Sequence, residues 1–237
     1  MSRMPAIALA LTLISIVACT SQAALAPAVQ TVEVTRLVPV TVTPPPTEPP
    51  TMPLPLITTG DFESGPGEWY TASFDESSIT VTGGQLVIDV LASNWISISG
   101  HPDLDYLNSP FDLTMTVTLL ESPPEAYAAV DFRYFDEDNF AEFGVSAGRF
   151  VNLAVVLEGE YYGIIPWSRQ APVTRGANIL RLVDRGKRVS AYSNGELLFD
   201  LPLEGLDLGG VSIVVWTFDN GNARWAFDDI VVREAER

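Results

Sequence analysis

The carboxylates are the first side chains to consider for chemistry in this sequence, which has 30 Asp and Glu among 237 residues. Two carboxylates spaced two residues apart on a strand share a face and could act as an acid and a base. Glu158 and Glu160 have this spacing, but Gly159 lies between two strand-like runs and predicts a hairpin tip. Residues 136–139 form a predicted turn, where acidic side chains are usually solvated. Neither acidic group is therefore predicted to be catalytic.

The chain has one histidine and one cysteine. His101 follows Gly100 and precedes Pro102 in a predicted loop, where a histidine is usually exposed to solvent. A serine–histidine–aspartate arrangement is not excluded by counting, but His101 is not predicted to be catalytic. A single cysteine excludes an internal disulfide and a zinc site built from several thiolates.

The charge balance limits the partners of the protein. Thirteen Lys and Arg leave a net charge of −17, whereas nucleic acid and anionic membrane surfaces are bound by basic patches. Nucleic acid is therefore not an expected partner. A hydrophobic content of 47% supports a packed core.

The first 19 residues have the pattern of a secretory signal. Arg3 precedes an apolar run that is too short to span a membrane and that ends at Cys19. Residues 16–19 resemble the lipobox of bacterial lipoproteins, in which the cysteine is lipidated and becomes the mature N-terminus. The resemblance implies a signal peptide at residues 1–18 and a lipid anchor on Cys19, which would hold the protein at the cell membrane, facing outside the cytoplasm. A secretory signal with an unmodified Cys19 is the alternative.

Residues 19–57 are predicted to be a linker. Nine of the 18 prolines lie between Pro27 and Pro55, and such a segment favours extended polyproline II and builds no core. At ~3.1 Å per residue it would reach roughly 100 Å. The alternating run at residues 31–35 leaves open that part of it pairs with the domain as a strand.

Residues 58–237 are predicted to form one all-β domain. Gly83-Gly84 and Asn194-Gly195 each separate two strand-like runs, which is typical of two-residue hairpin turns. About a dozen strands without alternating helices predict two stacked antiparallel sheets in a jelly-roll sandwich. The remaining strand candidates are residues 113–119, 128–135, 140–146, 151–157, 177–183, 211–218 and 226–232.

Residues 132–145 resemble the central hairpin of concanavalin A-like lectin/glucanase domains, which include the laminin-G-like group and domains named for 3-keto-disaccharide hydrolysis. Residues 61–65 with Trp69 resemble the start of carbohydrate-binding jelly rolls. The resemblance covers nearly all of residues 60–233. It implies the fold, but this fold hosts enzymes, lectins and adhesion modules alike. Later segments that fit in order are residues 180–183, 189–198, 211–218 and 225–232.

Glucanases of this fold carry Glu-x-Asp-x-Glu or Glu-x-Asp-x-x-Glu on one strand, and the sequence contains neither string. Their activity is therefore not carried over, and no catalytic residue is assigned. The favoured function is a non-catalytic carbohydrate-binding module. A saccharide hydrolase of the same fold and a protein–protein adhesion module remain as alternatives.

The resemblance also implies a place for calcium. In carbohydrate-binding jelly rolls a calcium ion often joins the first strand to the last, and Glu63 and Asp228 stand at matching places. Calcium takes six to eight oxygen ligands, which an acidic domain can supply. A structural calcium ion at Glu63 and Asp228 is the prediction, and an exposed Glu63 without metal is the alternative.

A hairpin register predicts the ligand face. If residues 136–139 form a four-residue turn, Arg133 opposes Glu142 and Asp131 opposes Gly144, so that the three charged side chains share the outer surface of one sheet. A purely structural ion pair is the alternative.

Aromatic rings that stack on sugars are expected in the strands and loop that follow this hairpin. Trp95 and Trp216 lie in apolar runs and are expected in the core. The predicted glycan-binding residues are Asp131, Arg133, Glu142, Tyr161, Tyr162 and Trp167.

Overall fold

The computed structural model describes residues 54–170 and 172–236. The predicted signal peptide, Cys19 and nearly all of the predicted linker lie outside the described residues. Within the described part, no helix has the length and apolar character needed to cross a membrane. A short 3₁₀ helix occupies Pro102–Leu104, and the regular structure is otherwise β.

Fifteen strands make up the domain. In chain order they are β1 Leu56–Gly60, β2 Ala72–Ser73, β3 Ser77–Thr82, β4 Gln85–Val90, β5 Ile96–Gly100, β6 Phe111–Glu121, β7 Tyr127–Asp136, β8 Asn139–Ser146, β9 Phe150–Leu157, β10 Glu160–Arg169, β11 Ala177–Asp184, β12 Arg188–Ser193, β13 Glu196–Pro202, β14 Gly210–Trp216 and β15 Ala223–Glu234.

The strands form two antiparallel sheets that enclose one core. The nine-stranded sheet has the order β13-β12-β11-β6-β15-β4-β3-β2, with β1 also paired to β15, and the six-stranded sheet has the order β10-β9-β8-β7-β14-β5. Successive side chains of a strand point to opposite faces of the sheet. The apolar side chains of the alternating pattern point inward and form the core. Fully buried examples are Leu86, Leu113 and Phe227 from the larger sheet and Phe132, Phe143 and Leu153 from the smaller one. The predicted jelly-roll sandwich is confirmed.

Both predicted hairpins are present. Gly83 and Gly84 have φ values of +61° and +76°, and Asn194 and Gly195 have values of +53° and +83°. Two central residues with positive φ are what a type I′ turn requires, which explains the preference for glycine and asparagine there. Strands β1, β2 and β5 were not among the predicted strands, whereas β10 is the strand-like run that follows the predicted tip at Gly159. Strand β1 begins at Leu56, two residues before the predicted start of the domain.

The predicted register of the β7–β8 hairpin is wrong beyond its tip. Asp136 pairs with Asn139 as expected, but the register then shifts, so that Asp131 opposes Glu142. Arg133 lies in the shifted stretch with a φ of +51°, in the left-handed region that few non-glycine residues adopt. This β-bulge adds residues to β7 only and turns Arg133 out of the ladder.

Arg133 is therefore not part of the outer face. Its guanidinium crosses to the nine-stranded sheet, where Nε and Nη2 donate to the Asp184 carboxylate at 2.7 and 2.8 Å. Further hydrogen bonds go to the carbonyls of Leu203, Leu206 and Gly186 at 3.0, 3.1 and 2.8 Å. Arg133 is 1% exposed and Asp184 is fully buried. The pair joins the two sheets.

Candidate functional site

The outer face of the six-stranded sheet carries two acidic side chains in a row of small residues. Residues that pair directly across antiparallel strands share a face. One such row crosses all six strands and places Glu142 next to Asp131 at its centre. The other members have short side chains or none, so the two carboxylates are the only ionisable groups of the row. The other members of the row are Gly163, Ala154, Ser212 and Gly100.

The two carboxylates are buried and unequally satisfied. Glu142 accepts hydrogen bonds from Tyr127 Oη at 2.9 Å and from Asn152 Nδ2 at 3.3 Å. Asn152 Nδ2 also donates to Tyr161 Oη at 2.8 Å. Asp131 is 2% exposed, and its Oδ1 has no hydrogen-bond partner within the described residues. A buried acceptor without a partner is costly, which marks Asp131 as a strained position in the face.

Burial shifts the acid–base properties of this group. Loss of solvation raises the pKa of Asp131 well above its ordinary value, and the neighbouring charge of Glu142 raises it further. Burial likewise raises the pKa of Glu142, although the hydrogen bonds from Tyr127 and Asn152 oppose this effect. The pKa of Tyr127 is also raised, first by burial and then by the charge of Glu142. The carboxyl pair therefore keeps a proton to a higher pH than two solvated carboxyls would.

An aromatic depression lies next to this acidic pair. It has a volume of about 490 Å³ and is lined by Pro124, Glu125, Ser146, Phe150, Trp167 and Phe218. Its rings remain open to solvent, since Trp167, Phe150 and Phe218 are 37%, 40% and 42% exposed. An open apolar surface with a few polar groups at its margin is a typical small-molecule site.

Tyr127 connects the depression with the acidic pair. Its ring meets Trp167 edge to face, with centroids 4.9 Å apart, and lies 5.8 Å from Phe218, while its hydroxyl binds Glu142. Gly144 makes this packing feasible because a Cβ there would lie 3.1 Å from atoms of both the Trp167 and the Tyr127 ring. The orientation of Trp167 therefore depends on a glycine in the neighbouring strand.

Four of the six predicted ligand residues share this face, namely Asp131, Glu142, Tyr161 and Trp167. Tyr162 pairs with Val155, whose side chain belongs to the core, so Tyr162 lies on the opposite side of β10. Arg133 is in the buried ion pair described above. The predicted set is thus divided among three places in the domain.

Sequence reasoning missed the residues that link this set. Tyr127 lies four residues before Asp131 on the same strand, so the period of two would have placed both on one face. Asn152 becomes visible only once β8 and β9 are paired, because it opposes Gly144. Trp95 and Trp216 were expected in the core, but neither belongs to it. Trp95 is 38% exposed, and Trp216 stacks on the Tyr127 ring with centroids 6.3 Å apart.

Residues 144–148 read Gly-Val-Ser-Ala-Gly, a nucleophile string that sequence reasoning also overlooked. In hydrolases this string forms a sharp turn between a strand and a helix. Here Ser146 ends β8 and leads into a hairpin, and its hydroxyl oxygen accepts a hydrogen bond from Phe150 N–H at 3.3 Å. Ser146 therefore does not lie in the turn between a strand and a helix that positions a hydrolase nucleophile.

The calcium prediction is untested. Asp228 Oδ1 accepts a hydrogen bond from the backbone N–H of Asp229 at 2.8 Å. The Glu63 carboxylate lies over Gly84 in the β3–β4 turn, 3.0 Å from where a Cβ would stand. Neither side chain belongs to a cluster of three or more histidine or carboxylate donors in the described part of the chain.

The sequence matches no protein-family model, and it matches no curated protein. A galectin-like protein of unknown function from Bacillus subtilis is 13% identical, with a TM-score of 0.56 over 77% of this chain and 97% of that chain. The catalytic domain of an endo-1,3-beta-glucanase (laminarinase) from Thermotoga petrophila is 14% identical, with a TM-score of 0.55 over 78% of this chain and 99% of that chain.

A third structure, of an endo-acting O-glycanase from the human gut microbiota, is 9% identical, with a TM-score of 0.55 over 76% of this chain and 100% of that chain. At such identities the likeness concerns the fold alone. The described domain has the concanavalin A-like lectin/glucanase fold, as the hairpin resemblance implied.

Proposed function

We propose that this chain is a membrane-anchored extracytoplasmic lipoprotein whose β-sandwich captures glycans without cleaving them. The binding site is the aromatic depression on the outer face of the six-stranded sheet. The observation that carries this proposal is the contact of Tyr127 with Trp167 on one side and Glu142 on the other. It ties an open apolar platform to a polar network, which is the combination that sugars need.

The chemistry of the depression suits a saccharide. A pyranose presents an apolar C–H face that packs on an aromatic ring and hydroxyls that need polar partners. Trp167 and Phe218 supply exposed ring surface, and Ser146 and Glu125 supply polar groups in the lining. The names of similar structures point the same way, since one is galectin-like and two others act on saccharides.

The anchor follows from the sequence. Cys19 directly follows the apolar run in a lipobox-like setting, and the proline-rich residues 19–57 would act as a spacer. Two or more acyl chains give a stable anchor, whereas one holds a protein only marginally. The spacer would let the domain reach glycans away from the membrane.

Glycan binding is tested by removing the platform and comparing the result with a matched variant. Trp167→Ala and Phe218→Ala should each weaken binding on a glycan array by about two- to tenfold, because a stacked ring contact is worth about 0.5–1.5 kcal/mol and a tenfold change in affinity corresponds to about 1.4 kcal/mol. Phe74→Ala removes an exposed phenylalanine outside the depression and should leave binding unchanged. If the wild-type protein binds no glycan, the proposal is wrong and the adhesion alternative gains support.

A hydrolase is the second candidate because Asp131 and Glu142 oppose each other on neighbouring strands. Directly opposed side chains have Cβ atoms about 4.5–5.5 Å apart, near the ~5–5.5 Å between carboxyls of retaining glycosidases. The raised pKa values of both carboxyls suit a general acid. Burial of Asp131 opposes this role, since substrate must reach the carboxyl.

Measuring whether a bound glycan is hydrolysed distinguishes the binding protein from the hydrolase. A hydrolase would release reducing sugar from a bound glycan, and Asp131→Asn and Glu142→Gln would each abolish the release while binding persists. The proposed binding protein should release none with or without these substitutions. Catalytic turnover that depends on both carboxyls would replace the proposal with the second candidate.

A further inference from the structure

A second concavity lies at the end of β1. It shares no lining residue with the aromatic depression. It has a volume of about 370 Å³ and is bordered by Thr58, the loop at residues 61–68, Trp69, His101 and Asp103. Gly65 and Gly67 in the loop have φ values of +113° and +58°, which glycine adopts without strain.

His101 lines this concavity and is the sole histidine of the chain. The expectation that it is exposed is wrong, because only 6% of it is accessible. Its Nδ1 accepts a hydrogen bond from the Asp103 N–H at 3.2 Å, and Thr58 Oγ1 lies 3.2 Å from Nε2. The ring also packs 5.5 Å from the Trp69 ring, centroid to centroid. Its position is therefore fixed before any ligand arrives.

Two carboxylates approach the imidazole, one near each ring nitrogen. Glu68 Oε2 lies 3.9 Å from Nε2, and Asp103 Oδ2 lies 3.7 Å from Nδ1. One donor atom from each of the three residues lies within 4.8 Å of the others. Two ligands of one zinc ion, each bonded at ~2.0–2.1 Å, are separated by roughly 3.3 Å. Because the Glu68 side chain is 74% exposed, it is free to make the small movement that closes this gap.

We propose that this cluster binds a divalent transition ion of the zinc type. His101 Nε2 and the Glu68 carboxylate are the ligands, Thr58 Oγ1 is the neighbouring oxygen, and water completes the coordination. An imidazole nitrogen with carboxylate favours zinc over calcium, which takes six to eight oxygen ligands. The site is distinct from the calcium predicted at Glu63 and Asp228.

Asp103 is a positioning residue in this proposal. Metal at Nε2 requires the ring proton on Nδ1, so the hydrogen bond that Nδ1 accepts from the Asp103 N–H would be replaced by one that Nδ1 donates to the Asp103 carboxylate. Metal-bound histidines commonly hold such a carboxylate at the other nitrogen, and its loss typically lowers metal affinity by about 10–100-fold. The bound ion would fasten the loop at residues 61–68 to the end of β5.

The test is calorimetric titration of the full chain in detergent with zinc chloride. We expect one Zn²⁺ per chain and a higher melting temperature. Glu68→Gln should weaken binding at least about tenfold, a loss of the size seen when metal-site partners are removed. Glu76→Gln makes the same charge change at an exposed residue outside the cluster and should bind like wild type. Equal zinc affinity in the two variants, or no zinc binding by wild type, would overturn the proposal.

Spectroscopy separates ligation from a general loss of structure. Since the chain has one histidine, ¹⁵N signals of its imidazole come from His101 alone. Zinc should shift the Nε2 signal and place the proton on Nδ1, and Asp103→Asn should weaken binding and lose this fixed tautomer. His101→Asn should bind no zinc. If zinc binds with unchanged imidazole signals, or if calcium competes equally, the imidazole is not a ligand and the proposal is wrong.

Discussion

Replacing Arg133 with alanine should destabilise the domain and leave glycan binding at the aromatic depression intact. The guanidinium makes five hydrogen bonds, two of them to the fully buried carboxylate of Asp184. Its removal leaves that charge without its partner in the interior, which costs about 3–5 kcal/mol of the free energy of unfolding. In a domain of this size 1 kcal/mol corresponds to about 2–4 °C, so the melting temperature should fall by about 6–20 °C.

The matched control is Arg181→Ala. Arg181 also forms a two-hydrogen-bond pair with a carboxylate, that of Asp112, but its side chain is 47% exposed. Exposed pairs contribute about 0–1 kcal/mol, so this variant should melt within a few degrees of wild type. A double variant, Arg133→Met with Asp184→Leu, should recover much of the loss because no uncompensated charge remains.

The measurements are urea unfolding monitored by tryptophan fluorescence, and glycan binding at a temperature where all variants are folded. Linear extrapolation gives the free energy of unfolding in water for each variant. The reasoning is refuted if Arg133→Ala unfolds at the wild-type urea concentration. It is also refuted if the folded variant loses glycan binding, since that would return Arg133 to the ligand face.

Three further substitutions have defined outcomes. Gly144→Ala should lower glycan affinity and cost about 1–3 kcal/mol of stability, because the new methyl would collide with Asn152 Oδ1 and crowd the Trp167 and Tyr127 rings; binding and melting curves report both effects. Asp131→Asn should stabilise the protein increasingly as pH rises above ~4. The raised folded-state pKa means that the unfolded chain releases the wild-type proton first, so wild-type stability falls with pH, as melting temperatures at pH 5 and 8 would show. Cys19→Ala expressed in bacteria should move the protein from the membrane fraction to the soluble fraction, and continued full membrane association would contradict a lipid anchor.

Local chemistry explains what could be predicted from the sequence. Gly83-Gly84 and Asn194-Gly195 fix their turns within four residues, so both hairpins and the all-β class follow without tertiary information. The apolar alternation of β7 and β8 also indicates that Val130, Phe132 and Phe143 face the core, where they lie. A shift of two residues preserves faces, so this assignment survived the wrong register.

The predictions that failed concern residues whose contacts come from segments far away in the sequence. No local signal marks Arg133 for a positive φ, because the bulge is stabilised by Asp184 in the opposite sheet, 51 residues later. His101 follows a glycine and precedes a proline as an exposed loop residue would, but Thr58 and Trp69 cover it from elsewhere in the chain. The shared face of Asp131 and Glu142 was predicted, but their direct opposition was not, because it depends on the register shift at the β7 bulge.

Strand β10 is the edge of the six-stranded sheet, and its irregularity limits how copies of this protein can associate. Its pairing with β9 breaks between Gly163 and Ile165 and again between Ile165 and Ser168, and Pro166 offers no N–H. A regular, unpaired edge invites another chain to extend the sheet, whereas bulges and proline interrupt the hydrogen-bonding row that such growth requires. Domains brought close together by the proposed lipid anchor would therefore crowd without joining through β10.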